Sequence, residues 1–570
     1  MLEKYIKAAR RETKADLVLK NASYVDVFWG DVKKGDIAVV DEKIVGVGEY
    51  EGKEEIDCTG LVVTPGYING HVHIESSQLS PEEFASLVVP HGTTTVIADP
   101  HEITNVCGMA GAEYIAKAAA NVPLDVKVML PSCVPATPFE NAGAVLDGKD
   151  IEDNINNDYI YGLAEFMNYP GVYNADPDVV RKLEAAHNAG KMVDGHAPSL
   201  RGYDLNAYIC GGISTDHECV TKEEIEEKVS KGQYVHIRHG SSTQNLGNAM
   251  YMNSHNYRRF LLCTDDRHSV TLKEQGDLDD ALRKLVAMGI DPIMAVTCAT
   301  LNGAEAYGLK YRGGIAPYWQ ADLVAVDNLK DFNVKYVIKS GKLVAKDSKP
   351  LFDTSKRYLP DNVLNTVHLN EMKPEDFVLP LRGRKALAMT ILPGGVVTDK
   401  EVVEVESRDG DVVLEGTDLL KLAVVERHHY TGNIGKGLFK GYGFKGGCLG
   451  ITIAHDSHNI ILMGDDNECM ARAANKLKEI GGGMVIAVKG GETYSLTLDI
   501  GGLMSSKDAD ALKDESKELL ERAYSMGVKR EYEAFMSLAF LSLSVIPKLK
   551  LLDTGLFDVE KFGFTDVNVD

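Results

Sequence analysis

The sequence predicts an α/β protein: a (β/α)8 barrel of the TIM type, a small β-sandwich domain drawn from both flanks, and an extra C-terminal α+β domain. Three observations carry this prediction. Eight short strand-like runs alternate with amphipathic helices between residues 64 and 312, which is the pattern and the length of a parallel barrel. Sets of short strands flank that block on both sides. A further series of strands begins near residue 381, beyond anything a barrel needs.

Taken in order, residues 1–63 open with "MLEKYIKAARRETKADLVLKNASYV", which alternates charge at helical spacing and lacks the apolar core of a secretory leader. "DLVLKNASYVDVF", "DIAVVDEKIVGVGE" and "GLVVTPG" then read as strands. The same texture returns in 313–352 with "GIAPYWQADLVAVDN" and "NVKYVIKSGKLVAK", so the two stretches are expected to form one β domain. Within 64–312 the expected barrel strands are "GYINGHVHI", "GTTTVIADP", "VKVMLPSCV", "YGLAEFM", "GKMVDGHA", "GISTDHE", "GQYVHIRHG" and "FLLCTDD". "DPDVVRKLEAAHNAG", "TKEEIEEKVSKG" and "DLDDALRKLVAMGI" supply helices between them. Residues 353–380 have weak periodicity and three prolines and read as a connector. Residues 381–570 form the last domain, with strands such as "KLAVVERHH" and a helix near 507–526.

Composition narrows the function. A formal net charge of −23 with no basic stripe excludes nucleic-acid partners. No apolar run approaches the roughly 18 residues of a spanning helix, so no membrane association is expected. Nine scattered cysteines, an odd number, suggest reduced thiols and a cytoplasmic setting.

Metal-competent side chains gather at the C-terminal ends of the expected strands, the rim where barrel enzymes keep their chemistry. The first strand ends in His71 and His73, the fourth carries Glu165, the fifth His196, the sixth His217 and the eighth Asp265. Residues i and i+2 of a strand share a face, so His71 and His73 can reach one ion. Singly, each group is as readily a hydrogen-bonded histidine or a structural carboxylate. Together, six donors exceed one tetrahedral ion and predict two divalent transition-metal ions that activate water. Ligation by imidazole and carboxylate without thiolate suits manganese, iron or zinc. His73 and Glu75 also spell the H-x-E of zinc nucleobase deaminases. That fold completes its site with C-x-x-C, and no two cysteines here are three positions apart. Glu75 is therefore expected to line the pocket or stand just behind the ligands, and His101 and Glu102 in "DPHE" to line the pocket or hold another ion. His428, His429, His455 and His458, in "ERHH" and "HDSH", are expected to form a lid or a second site.

The set His71, His73, Glu165, His196, His217 and Asp265 resembles the amidohydrolase superfamily of metal-dependent hydrolases. Many of its members bridge their metals with a carboxylated lysine at the fourth strand, where this chain has Glu165. "PGYINGHVHIESS", "HGTTTVIADPHEITNVCG", "DGHAP", "TDHE", "VVERHHYTGNIGKG" and "GYGFKGGCLGITIAHDSHNI" look like the binuclear adenine deaminase family over nearly the whole chain. His239 in "HIRHGSS" stands where that family more often has an acidic residue. The resemblance implies the six residues as metal ligands, Glu165 as the bridge, and manganese or iron as the metal. It further implies attack of water at C6 of adenine, giving hypoxanthine and ammonia in purine salvage. Asp265 would take the water's proton and return it to the amine, and Glu218 is the candidate acid for a ring nitrogen. A purine base is the expected partner and a homo-oligomer the expected assembly. Rival expectations are a dihydroorotase-like or hydantoinase-like cyclic-amide hydrolase, which Glu165 in place of lysine argues against, and a non-catalytic barrel scaffold, which a full set of ligands argues against.

Overall fold

The protein is described here by a computed structural model covering residues 1–241, 243–392 and 397–569. All eight runs read from the sequence are strands: β1 (Tyr67–Val72), β2 (Thr93–Ala98), β3 (Asp125–Leu130), β4 (Ile160–Phe166), β5 (Val193–Gly195), β6 (Thr215–Asp216), β7 (Tyr234–Arg238) and β8 (Phe260–Cys263). Consecutive strands pair in parallel. Parallel bridges from Val193 to Ile213 and from Val72 to Asp265 join the two arcs at both seams and close the barrel.

The helices between the strands follow from local sequence. In α2 (Pro177–Asn188), Asp176 accepts hydrogen bonds from the Asp178 and Val179 amides while Pro177 occupies the first turn. Val179, Leu183 and Ala186 then bury one face against the barrel. Inside the barrel, Ile68, Ile97, Met129, Ala164 and Leu261 form an apolar floor beneath Tyr307 and Leu309. The register between β1 and β2 shifts between Asn69 and Val72. As a result Ile68 faces the floor while Val72, of the same parity, packs outward. A bulge of this kind re-aims side chains, and here it turns His71 and His73 into the barrel mouth.

The strands at 62–65 and 323–326 pair antiparallel, with Pro65 opposite Leu323 and Val62 opposite Val326. They lie in a seven-stranded sheet that shares a core with a four-stranded sheet built from residues 15–57. One small β domain is thus assembled from both sides of the barrel. Toward the C-terminus, β9 (Lys385–Ile391), β10 (Thr398–Glu404), β11 (Leu419–Val425), β12 (Ile434–Lys440), β13 (Gly447–Ile451), β14 (Ile460–Gly464), β15 (Gly483–Val488) and β16 (Thr493–Thr497) form an eight-stranded sheet. Helix α5 (Asn467–Glu479) packs on it through Ala473 and Leu477. Val367, Leu369, Met372 and Phe377 join that core, so the proline-containing stretch 353–380 is anchored rather than loose. The expected helix near 507–526 is α6 (Ala509–Ser525). Among the described residues, no helix is long and apolar enough to cross a membrane.

Candidate metal centre

The barrel mouth brings His71, His73, Glu165, His196, His217 and Asp265 together, all at the C-terminal ends of strands. Second partners fix how the first two imidazoles present themselves. His71 Nδ1 lies 3.1 Å from Asp194 Oδ2, and His73 Nδ1 lies 2.9 Å from the Asp99 carbonyl. Each Nδ1 therefore donates, leaving each Nε2 lone pair aimed at the mouth. The two Nε2 atoms are 3.1 Å apart, a spacing at which facing lone pairs repel unless positive charge stands between them.

The Glu165 carboxylate divides the donors. Its Oε1 faces His73 Nε2 at 3.4 Å and His71 Nε2 at 3.8 Å. Its Oε2 faces His196 Nδ1 at 2.7 Å and His217 Nε2 at 3.3 Å. On the far side, Asp265 Oδ1 is 3.0 Å from His73 Nε2 and 3.6 Å from His71 Nε2. Asp265 has φ of 55°, a left-handed turn that aspartate tolerates better than most residues. That turn is held by the Asp265 amide donating to the His71 carbonyl and the His73 amide donating to the Asp265 carbonyl.

Electrostatics suits cations. Burial works against the charge of Glu165, but His196 and His217 outweigh it and hold the carboxyl well below the usual range. Burial likewise opposes the Asp265 charge, and Arg238, His71 and His73 outweigh it. His71 is lowered by burial yet pushed up to about 10 by the Asp194 and Asp265 carboxylates, so the field favours positive charge at its Nε2. Oriented imidazole lone pairs, ionised carboxylates and the buried Asp99 Oδ2 and His101 Nδ1, which lack a hydrogen-bond partner, together make a donor set that fits divalent ions.

The other candidates fall at the centre, along the cavity beside it, or away from both. His101, expected to line the pocket or to hold another ion, lies at the centre: its Nδ1 is 3.5 Å from Glu165 Oε1 and 3.4 Å from Asp99 Oδ2. Glu75 does not continue the strand face beyond His73, because the chain turns into a 3-10 helix at Ile74. It accepts from the Ile103 amide at 3.1 Å, and burial pushes its carboxyl up to about 7. Glu218 reaches the rim 3.5 Å from His217 Nε2, but it is ion-paired with Arg238. Burial raises its carboxyl; Arg238, His196 and His217 outweigh burial and lower it. The lowering favours the ionised form of Glu218 beside Arg238. His428 and His429 stay outside the centre, with Nε2 atoms 2.8 Å from the Ser457 and Ala142 carbonyls, where they brace loops. His455 and His458 bond Glu102 across the domain interface. His239 turns away to Asp280 on α4 (Leu278–Ala287).

Arg238 is the residue that sequence reading missed. Its Nη1 binds both Glu218 Oε1 and, at 2.7 Å, Asp265 Oδ2, leaving Asp265 Oδ1 for the imidazoles. Arg238→Gln strands the buried Asp265 carboxylate and the half-buried Glu218 carboxylate and is expected to destabilise the protein by about 3–5 kcal/mol, read as a lowered thermal midpoint. An unchanged midpoint would show the pair to be dispensable.

Above the centre, a cavity of about 600 Å3 lies between the barrel rim and the C-terminal domain. The rim contributes Glu75, Glu102 and His268. The C-terminal domain contributes Ile453, His455 and Phe540, and the last two rings stack with centroids 4.6 Å apart.

Comparison with known proteins agrees with this architecture. The amidohydrolase family matches residues 62–344, and the adenine deaminase C-terminal domain matches residues 395–563. The chain is 43% identical to adenine deaminase of Clostridium acetobutylicum over 566 residues, covering 99% of each chain. It is 45% identical to adenine deaminase 2 of Desulfotalea psychrophila over 568 residues, covering 99% of this chain and 98% of that one. The Geobacillus kaustophilus adenine deaminase is 42% identical over 571 residues, covering 99% of each. With both domains matched in order and the likeness running end to end, the chain belongs to the adenine deaminase family of amidohydrolases.

Proposed function

We propose that the protein hydrolyses adenine to hypoxanthine and ammonia, and that His71, His73, Glu165, His196, His217 and Asp265 would hold two divalent metal ions, with Glu165 shared between them. The observation that carries this reading is the division of Glu165, one oxygen toward His71 and His73 and the other toward His196 and His217, beneath a cavity walled by the C-terminal domain. His71, His73, Glu165 and Asp265 would hold one ion, and Glu165, His196 and His217 the other. When bound, such a pair polarises the substrate and acidifies water. Manganese and iron are the favoured ions, and zinc is compatible with the same donors.

The chain's own groups supply the rest. Asp265, kept ionised, takes one proton of the attacking water at Oδ1 and returns it to the departing amine, so that nitrogen leaves as neutral ammonia while the water's other proton ends on N1 of hypoxanthine. Arg238 holds Oδ2 and keeps Oδ1 in position. Glu218 accepts at the rim. Asp194 and the Asp99 carbonyl fix the imidazole tautomers. The stacked His455 and Phe540 offer an apolar face to a planar base. The same reading places the enzyme in purine salvage, in the cytoplasm, as a homo-oligomer; the nine unpaired cysteines accord with a reducing compartment.

The test is ammonia release from metal-loaded protein given aminopurines, their nucleosides and cyclic amides. Adenine is expected to be turned over fastest. Chelation is expected to abolish the activity, and about two equivalents of manganese per chain to restore it. Activity on adenosine but not adenine would overturn the free-base assignment.

A further inference from the structure

The loop between β13 and β14 crosses from the C-terminal domain to the barrel mouth. On the barrel side, Glu102 on α1 (His101–Cys107) meets His455 Nδ1 at 2.8 Å and His458 Nε2. The Ala454 amide donates to His458 Nδ1 at 3.1 Å. His458 therefore carries its proton on Nε2 and is a hydrogen-bond donor to Glu102, not a metal ligand. The loop is pinned elsewhere as well. Arg427 Nε donates to the His458 carbonyl, His428 Nε2 to the Ser457 carbonyl, and the His455 amide to the Ala539 carbonyl.

Between the two histidines stands Asp456, only 4% exposed. Its carboxylate receives no hydrogen bond from any described residue. The nitrogens nearest Oδ1 are His101 Nε2 and His455 Nδ1, each at 4.0 Å, and Oδ2 is buried without a partner. Across the His101 ring lies Glu165 Oε1, 3.5 Å from Nδ1. A rigid loop thus presents a buried carboxylate, lacking a donor, one imidazole's width from the proposed bridging group. Leaving such a group unsatisfied is costly, and a ligand that brings a hydrogen-bond donor to it would remove that cost.

We propose that Asp456 is a substrate-binding residue contributed by the C-terminal domain, its carboxylate accepting an N–H of the exocyclic amine of a 6-aminopurine. The inference rests on the deaminase reading and names the group that holds the reacting end of the base. N1, N3 and N7 of adenine present lone pairs, which a carboxylate repels. N9–H lies on the far edge of the ring from C6. The amine is the donor attached to the carbon under attack, so it is the one brought closest to the centre.

The experiment compares Asp456→Asn and Asp456→Ala with the wild-type protein, all metal-loaded, in three measurements: bound metal, kcat and KM for adenine, and calorimetric binding of hypoxanthine. Both variants are expected to keep the full metal content and to lose about 10- to 100-fold in kcat/KM for adenine, chiefly through KM. Hypoxanthine, whose O6 is an acceptor, should bind Asp456→Asn no more weakly than wild type. Loss of metal would reassign Asp456 as a ligand and overturn the proposal. So would parallel weakening toward adenine and hypoxanthine, the mark of a merely structural role, or kcat/KM within about threefold of wild type. A wild-type protein inactive on adenine would instead fail the deaminase reading itself.

Discussion

Glu165→Ala is expected to lower bound metal from about two equivalents per chain to one or fewer and to bring ammonia release to background. Among the described residues, Glu165 is the one side chain with an oxygen toward each pair of imidazoles. Its removal takes away shared negative charge that His196 and His217 keep ionised. Two buried cations would then face each other with less charge between them, and their repulsion is strong in a low-dielectric interior. Metal analysis of the purified variant, with circular dichroism to establish that the barrel has formed, decides the matter. A folded variant retaining two equivalents would remove Glu165 from the bridging role.

Asp265→Asn is the second large effect. The amide preserves shape but cannot accept a proton at neutral pH, so kcat is expected to fall about 10²–10⁴-fold. The Arg238 guanidinium would keep Glu218 and lose the charge of its other partner. The measurement is kcat for adenine at saturating metal, alongside metal content. If the variant keeps its metal and turns over like wild type, Asp265 does not carry the proton.

The six residues at the rim were legible because a parallel barrel places its chemistry at strand ends, where polar residues interrupt apolar runs. The seams were not legible. Closure depends on Val72 meeting Asp265 and on Val193 meeting Ile213, and no local periodicity encodes such pairing. Strict alternation from Ile68 would have turned His71 outward; the register shift after Asn69 makes the H-x-H pair point inward. Arg238 escaped notice because a lone cation in "HIRHG" looks like a surface charge until the Asp265 and Glu218 carboxylates are found beside it. Asp456 escaped for the converse reason, since the histidines of "HDSH" drew attention to themselves while the acid between them reaches the centre. His428 and His429 read like ligands by residue type, yet carbonyl acceptors claim both rings.

The pairing of strand 62–65 with strand 323–326 has a consequence for how the chain is made. Its two halves are separated by about 260 residues of sequence, so closing that sheet carries a large loop entropy and must follow synthesis of the whole barrel. Until residues 323–326 leave the ribosome, the 62–65 strand keeps an open edge of the kind that recruits foreign strands. The barrel's last turn and the pairing of strands 62–65 and 323–326 are therefore completed nearly together, and a nascent chain halted inside the barrel leaves that edge exposed to aggregation.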